Sequence, residues 1–215
     1  MGTLYVLVGP SGTGKTTQTE LLKARLGFFE AISHTTRVAR PDDLPGSYFH
    51  ITMDEFIRMK DAGEFVEPVA YPGAGKMYGS SRVEVESKLA QGDVVIVAEG
   101  NGARQFLEHV PGTRVIFLFP PTEFELRRRM VVRLIEAHNQ EIRDEFLYTK
   151  TLAELIAQAI PDIERRISII EHEIEWSRIA HHKIDPGTIE EIHEQIAAIV
   201  TEYRERNGQQ ATATA

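Results

Sequence analysis

The sequence has no cysteine. Disulfides, thiol nucleophiles and zinc–thiolate centres are therefore excluded at once. It also lacks a basic block. The formal net charge is −8 at pH 7, whereas a protein that grips a nucleic-acid backbone needs a basic footprint. The triplet Arg127-Arg128-Arg129 is too short to supply one. No apolar run approaches membrane-spanning length. Met1-Gly2-Thr3 leads straight into a strand-like segment, without the charged start and apolar run of a secretion signal. Val6 stands where an acylated N-terminal glycine would require serine or threonine. The expectation is a soluble cytoplasmic protein whose partners are neither nucleic acid nor membrane.

What is present is a regular alternation. Leu4 to Val8, Val94 to Ala98 and Val115 to Phe119 are short apolar runs of the kind that form buried parallel strands. A second strand is expected to end near Ser33, and His182-Lys183-Ile184 reads as a last one. Helical stretches lie between them. Thr52 with Glu55, Ser81 with Glu84 and Thr188 with Glu191 are capping boxes that open three of these. A short helix is expected over Gly102 to His109. From about Thr122 to Trp176 the pattern is almost wholly helical, with a break before Pro161. The terminal helix is expected to stop near Glu205, leaving a polar, disordered tail at 207–215. Strands alternating with helices imply an α/β fold, a parallel sheet covered on both faces, with ligands beyond the carboxyl ends of the strands.

Gly9-Pro10-Ser11-Gly12-Thr13-Gly14-Lys15-Thr16, followed by Thr17, joins the first strand to the first helix. Its glycines let backbone N–H groups turn inward around a β-phosphate. Lys15 can reach the β- and γ-phosphates, Thr16 can place its hydroxyl on Mg²⁺, and the helix points its N-terminus at the anion. The loop implies a nucleoside triphosphate ligand, ATP or GTP. It does not give the reaction.

A second set of residues follows. Arg37 and Arg40 lie three apart in a polar loop and could clamp a phosphate; a solvated basic loop would look the same. The series Ser33 to Arg40, Gly46 with Tyr48, Glu64-Phe65-Val66-Glu67, Tyr78-Gly79-Ser80, Glu99 before Asn101-Gly102, and Pro120-Pro121-Thr122 resembles the guanylate kinase family, whose phosphate loop reads G-P-S-G-x-G-K. The resemblance covers about residues 3 to 133 and resumes around Pro161 to Ile170. It implies a P-loop NTPase-type parallel sheet flanked by helices, with a small acceptor-nucleotide-binding subdomain and a helical lid. It also implies transfer of the γ-phosphoryl of ATP, with Mg²⁺, to a purine nucleoside monophosphate, GMP or dGMP.

By the same resemblance, Arg37, Arg40, Tyr48 and Tyr78 hold the acceptor phosphate. Ser33, Glu67, Ser80 and Glu99 face the base. Arg129 and Arg133, four apart on one helical face, and Arg166 belong to the lid. Chemistry supports the base reading, because a buried carboxylate such as Glu67 accepts the N1–H and N2–H₂ donors of guanine together, and adenine lacks that pair.

Three departures from the family pattern stand out. Val97 and Glu99 occupy positions where the family has two aspartates. The Tyr71 to Met77 segment is lengthened, the loop from Arg40 to Tyr48 is shortened, and Asp43 replaces a glutamate. The lid is enlarged by roughly residues 134–160, where Ile135, Phe146, Leu147, Leu152, Leu155 and Ile156 are available for a helical hairpin that lengthens the lid or forms a homo-oligomer contact. The expected division is a core of residues 1–33, 92–125 and 180–206, an acceptor subdomain at 34–91 and a lid at 126–179. These departures leave two alternatives open: a kinase for another or modified (deoxy)nucleoside monophosphate, and a non-catalytic guanylate-kinase-like binding module.

Overall fold

The computed structural model describes residues 1–39, 43, 46–71, 75–144 and 152–213. In chain order its elements are β1 (Leu4–Val8), α1 (Lys15–Leu26), β2 (Phe29–Glu30), β3 (Ser33–Thr35), β4 (Tyr48–His50), α2 (Met53–Asp61), β5 (Val69–Tyr71) and β6 (Lys76–Gly79). They continue as α3 (Arg82–Leu89), β7 (Val94–Val97), α4 (Gly100–His109), β8 (Arg114–Leu118), α5 (Glu123–Asp144), α6 (Leu152–Ser168) and α7 (Ile170–Glu175). A 3₁₀ turn at Trp176–Ile179, β9 (His182–Ile184) and α8 (Ile189–Ala213) complete the described chain.

A parallel sheet of order β2-β7-β1-β8-β9 forms the main layer. Every residue of β1 is buried, which explains why its run is apolar throughout rather than alternating. Leu4, Val6 and Val8 face Ala103 and Phe106 of α4, while Tyr5 and Leu7 face Leu22 of α1 and Ile192, Ile196 and Val200 of α8. β7 and β8, consecutive in the main sheet's chain order, pair with opposite edges of β1. That switch point opens a crevice at the carboxyl end of β1. A second sheet, order β4-β3-β6-β5, mixes parallel and antiparallel pairs and covers a small cluster of Phe56, Met59 and Phe65.

Local signals survive well. Thr52 accepts from the Glu55 N–H at 3.2 Å and Ser81 from the Glu84 N–H at 3.3 Å. At α8 the box closes both ways, with Thr188 N–H on Glu191 at 2.8 Å and the reverse bond at 3.2 Å. Four expectations are corrected. The second strand is in fact two, β2 in the main sheet and β3 in the other, because the chain changes layers at Ala31-Ile32. The helical break before Pro161 is absent: Pro161 lies inside α6. The carbonyl of Ala157 that loses its donor sits on an exposed residue, where water can serve it. The α4 helix starts at Gly100, and α8 runs on to Ala213, so the backbone at 207–213 is helical rather than a disordered tail.

Helices α5 and α6 pack together and are linked by the ion pair of Arg127 with Glu164. Ile135 and Ile156 are half-buried. Phe146 and Leu147, and the side chains of Leu152 and Leu155, lie outside the described residues. Among the described residues no helix is long and apolar enough to cross a membrane.

Trp176 presses on the start of α4. A β-carbon added to Gly100 would fall 1.8 Å from Trp176 Cγ, far inside contact distance. Gly100→Ala should therefore lower stability by about 1–3 kcal/mol. Trp176→Ala should relieve that clash, so the double variant should unfold in urea later than the sum of the single effects requires. Additive effects would contradict the contact.

Candidate functional site

The glycine loop lies at the carboxyl end of β1. Gly9 has φ +145°, and a β-carbon there would meet the Leu118 carbonyl oxygen at 2.3 Å, so only glycine lets the loop lie against the end of β8. Gly12 and Gly14 have φ +85° and +95°. Thr13 is buried, its hydroxyl donating to Pro10 O at 2.9 Å. Ser11 lines the loop, while Thr16 and Thr17 are exposed on the first turn of α1. The α1 N-terminus therefore faces the loop with its N–H groups, an arrangement that attracts anions.

Lys15 folds back over the loop, donating to Gly9 O at 2.6 Å and Pro10 O at 2.8 Å. Desolvation pushes its ammonium down to about 8, the charge of Glu173 opposes this, and those of Arg166 and Arg133 add to it. These arginines come from α5 and α6. Arg129 Nη1 donates to Gly12 O at 3.2 Å and its Nε to Glu125 at 2.8 Å. Arg166 Nη1 donates to Ser11 Oγ at 2.8 Å and its Nε to Asp162 at 2.7 Å. Four cations, Lys15, Arg129, Arg133 and Arg166, are therefore gathered at the glycine loop. Arg127 and Arg128 point elsewhere, to Glu123, Glu164 and Glu125.

The second sheet carries Ser33, Tyr48 and Tyr78 on its strands, with Glu67 and Ser80 beside them. Glu67 is buried, 5% exposed. Its two oxygens accept from the Ser80 N–H at 2.6 Å and the Ser80 hydroxyl at 2.8 Å. Ser80 Oγ also shares a hydrogen bond with Ser33 Oγ at 3.0 Å. Gly102 of α4 lies beside Glu67: a β-carbon there would be 3.9 Å from Glu67 Cγ. Glu99 precedes α4 at the N-cap position without using its side chain as the cap. Burial raises the Glu99 carboxyl, Glu173 raises it further and His172 lowers it. Val97 is half-buried in the α1–α8 core, so the first of the two expected acidic positions is used for packing.

One step away sits a cationic corner. Arg37 is buried, held to Asp43 at 2.8 Å with its guanidinium 5.2 Å from the centre of the Tyr48 ring. Tyr48 and Tyr78 meet edge to face at 6.0 Å. Arg40 lies outside the described residues. Two groups were missed in the sequence. Glu173 carries charge toward Lys15 and Glu99 from α7, and Trp176 closes the same end. Neither belongs to a recognisable local pattern; both arrive by long-range packing.

Known proteins resemble this chain. The family model described as guanylate kinase matches residues 1–158. A guanylate kinase of Geobacter sulfurreducens is 39% identical over 160 residues, 68% of this chain and 78% of the relative. One from Escherichia coli O157:H7 is 33% identical over 162 residues, 73% of this chain and 74% of the relative. The crystal structure of guanylate kinase from Anaplasma phagocytophilum superposes with a TM-score of 0.66 at 23% identity, covering 94% of this chain and 86% of that one, which supports the fold.

Burial raises the Glu67 carboxyl from 4.5 to about 7, against the lowering by its bonds to Ser80. Between those values the folded chain keeps a proton that the unfolded chain has lost. The stabilisation is thus present at low pH and is lost as pH rises from about 4.5 to about 7. Glu67→Gln should remove this component: across that window its stability should gain on the wild type in urea unfolding. Parallel curves would contradict the assignment.

Proposed function

We propose, from the premise that the chain belongs to the guanylate kinase family, that the two sides of the crevice divide the reaction, the glycine loop and lid arginines taking ATP and the second sheet taking the acceptor. The chain is a nucleoside-monophosphate kinase that phosphorylates GMP at the expense of ATP. The observation that carries the division of roles is the Glu67–Ser80–Ser33 cluster. Each Glu67 oxygen accepts one bond from Ser80 and keeps a lone pair for a further donor. Guanine brings two adjacent donors, N1–H and N2–H₂. Ser33 and Ser80 offer hydroxyls for O6. Adenine would leave the buried carboxylate unmatched, which is costly.

The acceptor phosphate is already ionised near neutral pH, so the site needs no general base. What opposes reaction is repulsion between two anions, and the remedy is position and positive charge. Arg37, Arg40, Tyr48 and Tyr78 hold the acceptor phosphate. Lys15 leaves the Gly9 and Pro10 carbonyls for the β- and γ-phosphates. Arg129, Arg133 and Arg166 close from α5 and α6 onto the transferring group, and the lid shields it from water. The Thr16 hydroxyl, exposed on the first turn of α1, fits Mg²⁺ carried on the nucleotide. When bound, the ion neutralises charge on the phosphates.

In this reading residues 34–91 act as the acceptor subdomain, 126–179 as the lid and the remainder to 206 as the core, while the α5–α6 hairpin is the surface available for self-association. A cytoplasmic location fits its nucleotide substrates.

Coupled ADP release with ATP, Mg²⁺ and a panel of ribo- and deoxynucleoside monophosphates tests the proposal. Turnover should favour GMP or dGMP over AMP, and Lys15→Ala should lower kcat by about 10²–10³-fold. Equal rates with AMP would overturn the role of Glu67. Full activity in Lys15→Ala would overturn the donor site.

A further inference from the structure

Arg37 is held more completely than binding a ligand alone requires. Its backbone N–H donates to Thr35 Oγ1 at 3.1 Å, and its carbonyl shares a hydrogen bond with His50 Nδ1 at 2.8 Å. In the side chain, Nη1 donates to Val38 O at 3.0 Å and Nη2 to Asp43 Oδ1 at 2.8 Å, and Tyr78 also bonds it. The Arg37–Asp43 pair is enclosed, with side-chain exposures of 4% and 13%. The surface pair Arg58–Glu55 has exposures of 53% and 45%, and pairs of that kind contribute little. A buried guanidinium without a counter-ion is unfavourable, so something must hold Arg37 in place while no acceptor is bound.

The geometry points to Asp43 as a positioning residue for the acceptor phosphate: its carboxylate fixes the Arg37 guanidinium where the phosphate arrives, and so sets acceptor affinity without touching the acceptor. This rests on the assignment of Arg37 to the acceptor phosphate. A carboxylate here could instead compete with the phosphate for the same arginine. The contacts favour positioning. Asp43 meets Arg37 through Oδ1 and Nη2, whereas occlusion would engage a whole edge of the five-donor guanidinium fork. The Val38 bond and the Tyr48 ring fix its orientation from two other sides. Donors remain for a phosphate. The glutamate of the family pattern is longer by one methylene and carries the same charge, so it should serve the same purpose from this loop.

Steady-state kinetics of Asp43→Asn and Asp43→Glu test this, with GMP varied, ATP varied, and guanosine as an inhibitor that lacks the phosphate. Asp43→Asn should raise the KM for GMP about tenfold or more, leaving the KM for ATP and inhibition by guanosine unchanged. Asp43→Glu should recover most of the GMP affinity. An unchanged or lowered KM for GMP overturns the proposal. So does a parallel loss of guanosine binding, an Asp43→Glu variant as weak as Asp43→Asn, or loss of the folded state by circular dichroism, each of which assigns Asp43 another role. Arg37→Ala separates the premise: no response to it in the KM for GMP removes the assignment of Arg37 itself, whereas a response there without one at Asp43 overturns the Asp43 proposal alone.

Discussion

Positive charge gathered where an anion is to bind, and held there before the anion arrives, is the constraint on which the rest of this structure depends. Lys15 is half-buried in the glycine loop and satisfied by the carbonyls of Gly9 and Pro10. Arg129 is tethered by Glu125 and Arg166 by Asp162, each carboxylate one helical turn earlier. Arg37 is held by Asp43. Each of these four cations is thus matched by a carbonyl or carboxylate of the protein. Such preorganisation lets the charges act on a reacting phosphate without a large rearrangement at that moment.

The fold serves this arrangement. The fully buried β1 carries the loop to the switch point of the sheet. The loop can lie against Leu118 because Gly9 has no side chain. Helix α5 begins just after β8 and packs Leu126 and Met130 over Gly12, so Arg129 is delivered by a helix rather than by a loop. The second sheet places a buried carboxylate across the crevice, next to the α4 N-terminus. Glu67 is buried and Glu99 half-buried here, and in the proposed reading this is the side that meets the donor-rich base.

Much of this was legible in the sequence, for local reasons. Glycines at fixed spacing, a lysine and a threonine between a strand and a helix describe the loop almost completely. Capping boxes at Thr52, Ser81 and Thr188 are contained within four residues and appear in the structure. What was not legible depends on partners far along the chain. The change of layer between β2 and β3 turns on which strand each one pairs with. Pro161 reads as a break, yet an exposed carbonyl tolerates its missing donor. Trp176 on Gly100 and Glu173 near Lys15 are meetings of residues about 75 and 160 positions apart, and nothing in their neighbourhoods announces them. Asp43 was visible as a departure from a pattern, but its salt bridge was not.

The most direct test of this account is the side-chain carbon NMR titration of Lys15, with and without a non-hydrolysable ATP analogue. An ammonium desolvated among other cations should titrate at about 8 in the empty protein, and should move sharply upward once the triphosphate is bound. An ordinary value near 10.5 in the empty protein, unmoved by nucleotide, would contradict the claim that the site holds its positive charge in readiness.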